Sequence, residues 1–260
     1  MTIAAAARLV HVVTEDGIAT VTLDRPPLNV LTTAMLEELD LVLDDLDAVP
    51  ELRLIVLRGA GRAFCAGVDV GEHVGDALEP MLAAFEQVAR RLLDLSVPTL
   101  AVVHGAALGG GCELVALCDL AIATEDAPIG TPEIGLGVVP PVGAAVFPSL
   151  VGEQRARALV LLGEPMRGRE AAASGLVWKS TPADALENEV ARVVARFRSL
   201  SAASLRLAKR TFRVAANATD PIDAVIAADA EQRASLPHMR DADEGLRAFL
   251  QKRTPEWRHR

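Results

Sequence analysis

Residues 18–23 (IATVTL) alternate β-branched and apolar side chains and stop at Asp24-Arg25-Pro26-Pro27, which predicts a strand and its breaker. Over residues 32–49 the period changes: Met35, Leu39, Val42, Leu43 and Leu46 recur at helical spacing with acids facing out. A helix is expected there, capped by Thr32 or Thr33. Residues 52–57 (LRLIVL) predict a second strand, ended by Gly59-Ala60-Gly61. Residues 79–95 carry Leu82, Phe85, Val88, Ala89, Leu92 and Leu93 on one side of a second helix. A third strand over 98–104, a glycine-rich turn over 105–111, a short helix over 112–117 and a fourth strand over 120–124 follow.

Strand, helix and strand recur, so an α/β core is expected. After residue 199 only helical patterns remain, near 202–216, 222–234 and 243–252. A boundary at 199–201 divides the chain into a core, 1–198, and a helical C-terminal region, 199–260.

Composition changes this picture little. With six Phe, two Trp and no Tyr, the core falls to Ala, Val and Leu, whose small side chains favour close approach of backbones. The net charge of −9, without a basic face, speaks against a nucleic-acid partner. The locally basic end, 252–260, is on composition a solvated tail or an anion contact. Three cysteines in no regular framework fit a reducing cytoplasm, and no metal-ligand spacing occurs. Residues 1–7 lack the charge and apolar run of a signal peptide, and no stretch of about 20 apolar residues could span a bilayer. A cytoplasmic protein without a metal or a membrane partner is expected.

Three segments carry candidate chemistry. In Gly105-Ala106-Ala107-Leu108-Gly109-Gly110-Gly111-Cys112-Glu113 three successive glycines lie between strand and helix, where the backbone approaches something closely or takes unusual dihedrals. A helix beginning there aims free N–H groups at the turn, a geometry suited to an oxyanion. Glu113 in its first turn is equally compatible with a carboxylate that simply favours a helix N-terminus. Arg62-Ala63-Phe64-Cys65-Ala66-Gly67-Val68-Asp69 reads either as a loop presenting backbone N–H groups or as a plain connection with Asp69 as a cap. In Ile129-Gly130-Thr131-Pro132-Glu133-Ile134-Gly135, Glu133 sits among apolar residues, which would raise its pKa and suit a general acid; a surface glutamate is the alternative.

The order and spacing of residues 63–69, Gly109-Gly110-Gly111-Cys112-Glu113 and Pro132-Glu133 resemble the enoyl-CoA hydratase/isomerase (crotonase) family. So do Arg25-Pro26 with Asn29 beyond, and the ending over residues 244–253. The resemblance covers nearly the whole chain. It implies a spiral core of ββα units, a helical C-terminal region that packs between subunits of a homotrimer or hexamer, and a role in fatty acid metabolism. It also implies an oxyanion hole from the N–H groups of Val68 and Gly110. Glu113 would then be the group that deprotonates water, and Glu133 the proton donor. Coenzyme A, part of the substrate and not a separate cofactor, would meet Arg25, Pro27, Leu28 and Ala66, and Gly67, Asp69, Gly109, Pro132 and Pro141 would also contact the substrate. Lys252 matches a position that reaches nucleotide phosphates from a neighbouring subunit. Members that only isomerise a double bond commonly lack the first glutamate, so its presence implies hydration; isomerisation and a non-catalytic acyl-CoA-binding protein are the alternatives.

Two departures stand out. Where the family continues in glycine after the second glutamate, this chain reads Val138-Val139-Pro140-Pro141-Val142-Gly143. Prolines stiffen a segment expected to line the acyl pocket, so a cyclic or branched acyl group is compatible. Residues 231–237 also lack the phenylalanine that often packs near the adenine. His73 and His104 are further acid–base candidates, His104 more simply a hydrogen-bonded residue at a strand end. Cys65 and Cys112 read as small apolar fillers, and the start of the second helix, with Leu78 and Met81, as a contact for the acyl chain.

Overall fold

The computed structural model describes residues 8–260; the leaderless reading of 1–7 lies outside them. Strand β1 (Val10–Glu15) turns back into β2 (Ile18–Leu23), and the two pair antiparallel. Helix α1 (Thr33–Asp47) begins where Thr32 accepts the Met35 N–H on its side chain, and it buries Met35, Leu36, Leu39, Leu43 and Leu46. Each such side chain contributes about 2 kcal/mol by leaving water.

From there the chain repeats one unit. β3 (Leu54–Gly59) and β4 (Ala63–Cys65) lead to α2 (Leu78–Asp94). β5 (Thr99–Val103) and β6 (Ala106–Leu108) lead to α3 (Gly110–Leu117). β7 (Leu120–Thr124) and β8 (Pro128–Gly130) lead to α4 (Pro141–Val151) and α5 (Glu153–Leu162). β9 (Met166–Arg167), α6 (Gly168–Ser174), β10 (Lys179–Thr181) and α7 (Leu186–Arg198) complete this part.

In each repeat the first strand enters one sheet and the second strand enters another. The large sheet runs β1-β2-β3-β5-β7-β10 and the small one β4-β6-β8-β9, so the chain winds as a spiral. From β2 onward the large sheet is parallel. Parallel strands are covered on both faces. One face packs on α1, α2 and α3; the other lies under α7 through Leu186, Val190 and Val193. This is the spiral of ββα units that the family resemblance implies.

Past residue 199 come α8 (Ala202–Ala216), α9 (Pro221–Ser235) and α10 (Arg240–Leu250). Buried Asp241 fastens this region to the end of the chain. It accepts the Ser201 hydroxyl at 2.5 Å and the N–H groups of Arg258 and His259 at 2.7 and 2.8 Å.

Candidate active site

The small sheet decides where the chemistry-bearing loops meet. β4, β6 and β8 are parallel neighbours, with Ala63 opposite Ala106 and Leu108 opposite Gly130. Loops leaving the C-terminal ends of adjacent parallel strands emerge together. The three segments singled out above follow these strands: 66–69 after β4, Gly109 after β6 and 131–137 after β8.

Gly67, at φ +108°, lies against the second loop: a Cβ there would stand 3.1 Å from the Leu108 carbonyl and 3.8 Å from the Gly110 nitrogen. On its other side the 66–69 segment pairs with residues 28–31. Ala66 N–H donates to Leu28 at 3.0 Å, Leu31 N–H to Gly67 at 2.8 Å, and Asp69 N–H to Leu31 at 2.8 Å. In an extended ladder the amide between two such bonded positions points the opposite way, so Val68 N–H is directed away from Leu31, the side on which α3 begins. Gly110 is the first residue of α3, and its N–H has no carbonyl one turn back. The two amides named from sequence therefore belong to segments that lie against each other.

The glycine run has a steric cause. A Cβ on Gly111 would lie 2.2 Å from the Cys65 carbonyl, and one on Gly110 would lie 2.8 Å from Val68 Cγ2. Gly109 takes φ +54°, and a Cβ there would lie 2.7 Å from Glu133 Oε1. The carboxyl of Glu133 thus stands beside the start of α3.

Glu113, in the first turn of α3, is 3% exposed. Its Oε1 accepts the Gly143 N–H at 2.7 Å, in the first turn of α4. Burial pushes its pKa up to about 7, the negative charge of Glu133 adds to this, and the Gly143 and Val142 amides oppose it. Glu133 is the second residue of a 3-10 turn, Pro132–Leu136, which forms after β8. Its Oε2 is buried without a hydrogen-bond partner. Burial raises its pKa as well, against its own backbone N–H and the charge of His73. Two carboxyls so placed disfavour simultaneous ionisation, which lets one hold a proton while the other accepts one.

The remaining candidates fall in different places. Arg25 is engaged within the protein: its guanidinium donates to the Val30 carbonyl at 3.1 Å and to Asp69 at 3.3 Å. Asp69 also accepts Gly71 N–H at 2.9 Å, the capping role its sequence context allowed. Pro27, Pro132 and Pro141 are exposed, and Leu28 and Ala66 are half-buried beside the 66–69 loop. Pro141 opens α4 with no N–H to give. Lys252 is exposed past the end of α10, at φ +55°. His73 Nδ1 meets the Asp69 carbonyl at 3.0 Å, and His104 Nε2 meets the Gly61 carbonyl at 3.0 Å. Cys65 and Cys112 are fully buried; burial pushes the Cys65 thiol up to about 12 and raises that of Cys112 as well, which makes both poor nucleophiles. Met81 is core, at 1% exposure, whereas Leu78 reaches the surface.

Two groups were not singled out for the work they do. Buried Asn29 donates through Nδ2 to the carbonyls of Ala60 at 2.8 Å and Ala63 at 2.9 Å, and accepts Arg25 N–H at 3.0 Å. It ties the 25–31 segment, and through it the 66–69 loop, to the core. Gly143 holds Glu113 by a backbone amide, for which no side-chain pattern exists.

Cavities of about 550 and 340 Å³ lie elsewhere, the first beside Arg58 and His104, the second beside Trp178. Among the described residues no group of three or more His, Cys, Asp or Glu could hold a metal ion, and no helix is long and apolar enough to cross a membrane.

The profile of the enoyl-CoA hydratase/isomerase family matches residues 13–260. A probable enoyl-CoA hydratase of Rhizobium meliloti is 37% identical over 252 residues, covering 95% of this chain and 96% of that protein. The cyclohexa-1,5-dienecarbonyl-CoA hydratase of Thauera aromatica is 36% identical over 242 residues, covering 92% of each. The crystal structure of an enoyl-CoA hydratase from Mycobacterium smegmatis superposes with a TM-score of 0.90 at 32% identity, covering 96% of this chain and 98% of that one. Sequence, topology and the convergence of the three loops agree: the chain belongs to the enoyl-CoA hydratase/isomerase family of enzymes.

Proposed function

We propose that the protein adds water reversibly across the double bond of a 2-enoyl-CoA thioester. The observation that carries this reading is the pair of buried Glu113 and half-buried Glu133, the latter with Oε2 buried and unpartnered, at the start of the helix that Gly110 opens. Attack at the β-carbon moves charge onto the thioester oxygen, and two fixed N–H donors lower the energy of the resulting enolate. Glu113, with a pKa near neutrality, is suited to take the proton of water. Glu133, its pKa raised by burial, is suited to deliver a proton to the α-carbon.

Isomerisation moves one proton between two carbons and needs one shuttling group; a second buried carboxyl held by Gly143 favours hydration. A protein that only binds thioesters would gain nothing from burying two carboxyls, each of which costs stability when ionised. As a finer reading, the stiff Pro140-Pro141 segment and the likeness to a dienecarbonyl-CoA hydratase support a cyclic or branched acyl group. Coenzyme A would then run past Leu28 and Ala66, with Lys252 of a neighbouring subunit at its phosphates. A trimer or hexamer formed through 199–260 is supported by the exposure of Phe212 (79%) and Phe249 (82%) in that region.

The test is a panel of 2-enoyl-CoAs of varied length, branching and ring content, followed by loss of the enoyl thioester absorbance. Hydration of at least one member is expected. Binding without hydration of any member would overturn the proposal.

A further inference from the structure

The face of the large sheet that lies under α7 changes character along its strands. Every second residue of a strand points to the same face. The first halves of the strands give this face Ile18 from β2, Leu54 and Val56 from β3, Leu100 and Val102 from β5 and Ile122 from β7, all buried. The same alternation then brings Thr20 and Thr22, Arg58, His104 and Thr124 onto it. Thr22 is the register partner of Arg58, and Arg58 that of Val102, two residues before His104. Thr124 Oγ1 donates to the His104 carbonyl at 3.3 Å. A polar row therefore crosses four adjacent strands at their carboxyl ends, where side chains from several parallel strands can converge on one ligand.

The cavity of about 550 Å³ lies over this row, closed on one side by the first turn of α7 with Glu187. Its lining is rich in donors: the Arg58 guanidinium, the His104 imidazole and the threonine hydroxyls. Glu187, the one acid among the lining residues, pairs with Arg58. The Glu187 side chain is 65% exposed, and an ion pair that open to water is weakly held. An incoming anion can therefore take the place of Glu187 on the guanidinium. A tetrahedral phosphate presents oxygens in several directions and can meet donors of β2, β3 and β5 together, whereas the fork of the guanidinium alone uses up both oxygens of a planar carboxylate. The volume is far more than a bare phosphate fills and falls in the range of small-molecule sites. No aromatic side chain lines it, so nothing there would stack on a nucleobase.

We infer that this cavity binds a small phosphate ester without a nucleobase, its phosphate held by Arg58, His104 and the hydroxyls of Thr20 and Thr22 in place of Glu187. The site is separate from the two glutamates: α3, which carries Glu113, packs on the opposite face of the sheet. The inference does not depend on the hydratase reading and stands or falls without it.

The experiment is a phosphorus NMR titration of the protein with glycerol 3-phosphate, and with inorganic phosphate as a second probe, chloride holding the ionic strength constant. Saturable binding of glycerol 3-phosphate is expected, at least about tenfold weaker in Arg58→Gln, which loses the charge-assisted contact. Glu187→Gln should bind it more tightly than wild type, because the competing carboxylate is gone. Glu187 is exposed, and a gain in affinity does not arise from a damaged fold. Absence of saturable binding, equal affinity in wild type and Arg58→Gln, or weaker binding in Glu187→Gln would each overturn the site. Tighter binding of glycerol 3-phosphate than of inorganic phosphate supports an ester as the ligand; equal affinity for the two probes would overturn the ester and leave a site for free phosphate.

Discussion

The Gly143 N–H donates to Oε1 of Glu113 across 2.7 Å, so the first turn of α4 holds a buried carboxyl that belongs to α3. This bond sets the charge state of Glu113 against its burial, and the pH behaviour of the protein follows from that balance.

With its pKa raised to about 7, Glu113 becomes a competent base only as pH rises through neutrality. The acidic limb of kcat/KM for hydration should therefore fall near pH 7, well above the ordinary carboxylate range. Rate measurements from pH 5 to 9 check this; a limb below pH 5 would contradict it.

The same shift has a thermodynamic sign. The folded state keeps a proton on Glu113 that the unfolded chain has released, so stability declines as pH rises from about 4.5 to about 7. The full effect is on the order of 3 kcal/mol. Glu113→Gln should accordingly raise Tm at pH 8 while leaving it near the wild-type value at pH 4.5, even as turnover disappears. Calorimetric scans at both pH values decide the matter.

Gly110→Ala places a methyl 2.8 Å from Val68 Cγ2 and 3.0 Å from Phe85 Cε2, next to one of the proposed oxyanion amides. Displacing that amide should lower kcat by about 10²-fold, the usual effect of losing one oxyanion donor. Gly111→Ala meets a backbone carbonyl at 2.2 Å and should instead destabilise the fold. Comparing kcat with urea midpoints for the two variants separates the effects.

Asn29→Ala would strand the carbonyls of Ala60 and Ala63 in the interior and free the 25–31 segment. A loss of about 2–3 kcal/mol is expected in urea unfolding, since buried acceptors without donors cost about 1–3 kcal/mol. Arginine at position 25 and the 66–69 loop move with that segment, so KM for the thioester should rise as well.

Much of this was legible in the residues and some was not. β2 spans the residues its alternation predicts, and Thr32 caps α1 as its position suggests. The helix read over 112–117 begins at Gly110 instead, because glycine's low helix propensity hides a turn fixed by packing on Cys65. The stretch 105–111, read as a turn, contains β6, and β4 and β8 are likewise only three residues long. Strands that short show no period, and their partners are distant in sequence. Yet these three strands bring the loops together, so the convergence of the site could be reached from sequence only through family resemblance. α4 begins with Pro141 and contains Pro148, which masks a helix that in fact supports Glu113.

The central claim is that Glu113 and Glu133 together carry out hydration. Its most direct test is hydration of 2-butenoyl-CoA in deuterium oxide, followed by NMR, for wild type, Glu113→Gln and Glu133→Gln, with affinity for a saturated acyl-CoA measured alongside. Wild type should place deuterium on the α-carbon and hydroxyl on the β-carbon, while each variant loses at least about 10³-fold in rate and still binds the saturated thioester within a few-fold of wild type. Full hydration by either variant would contradict the account.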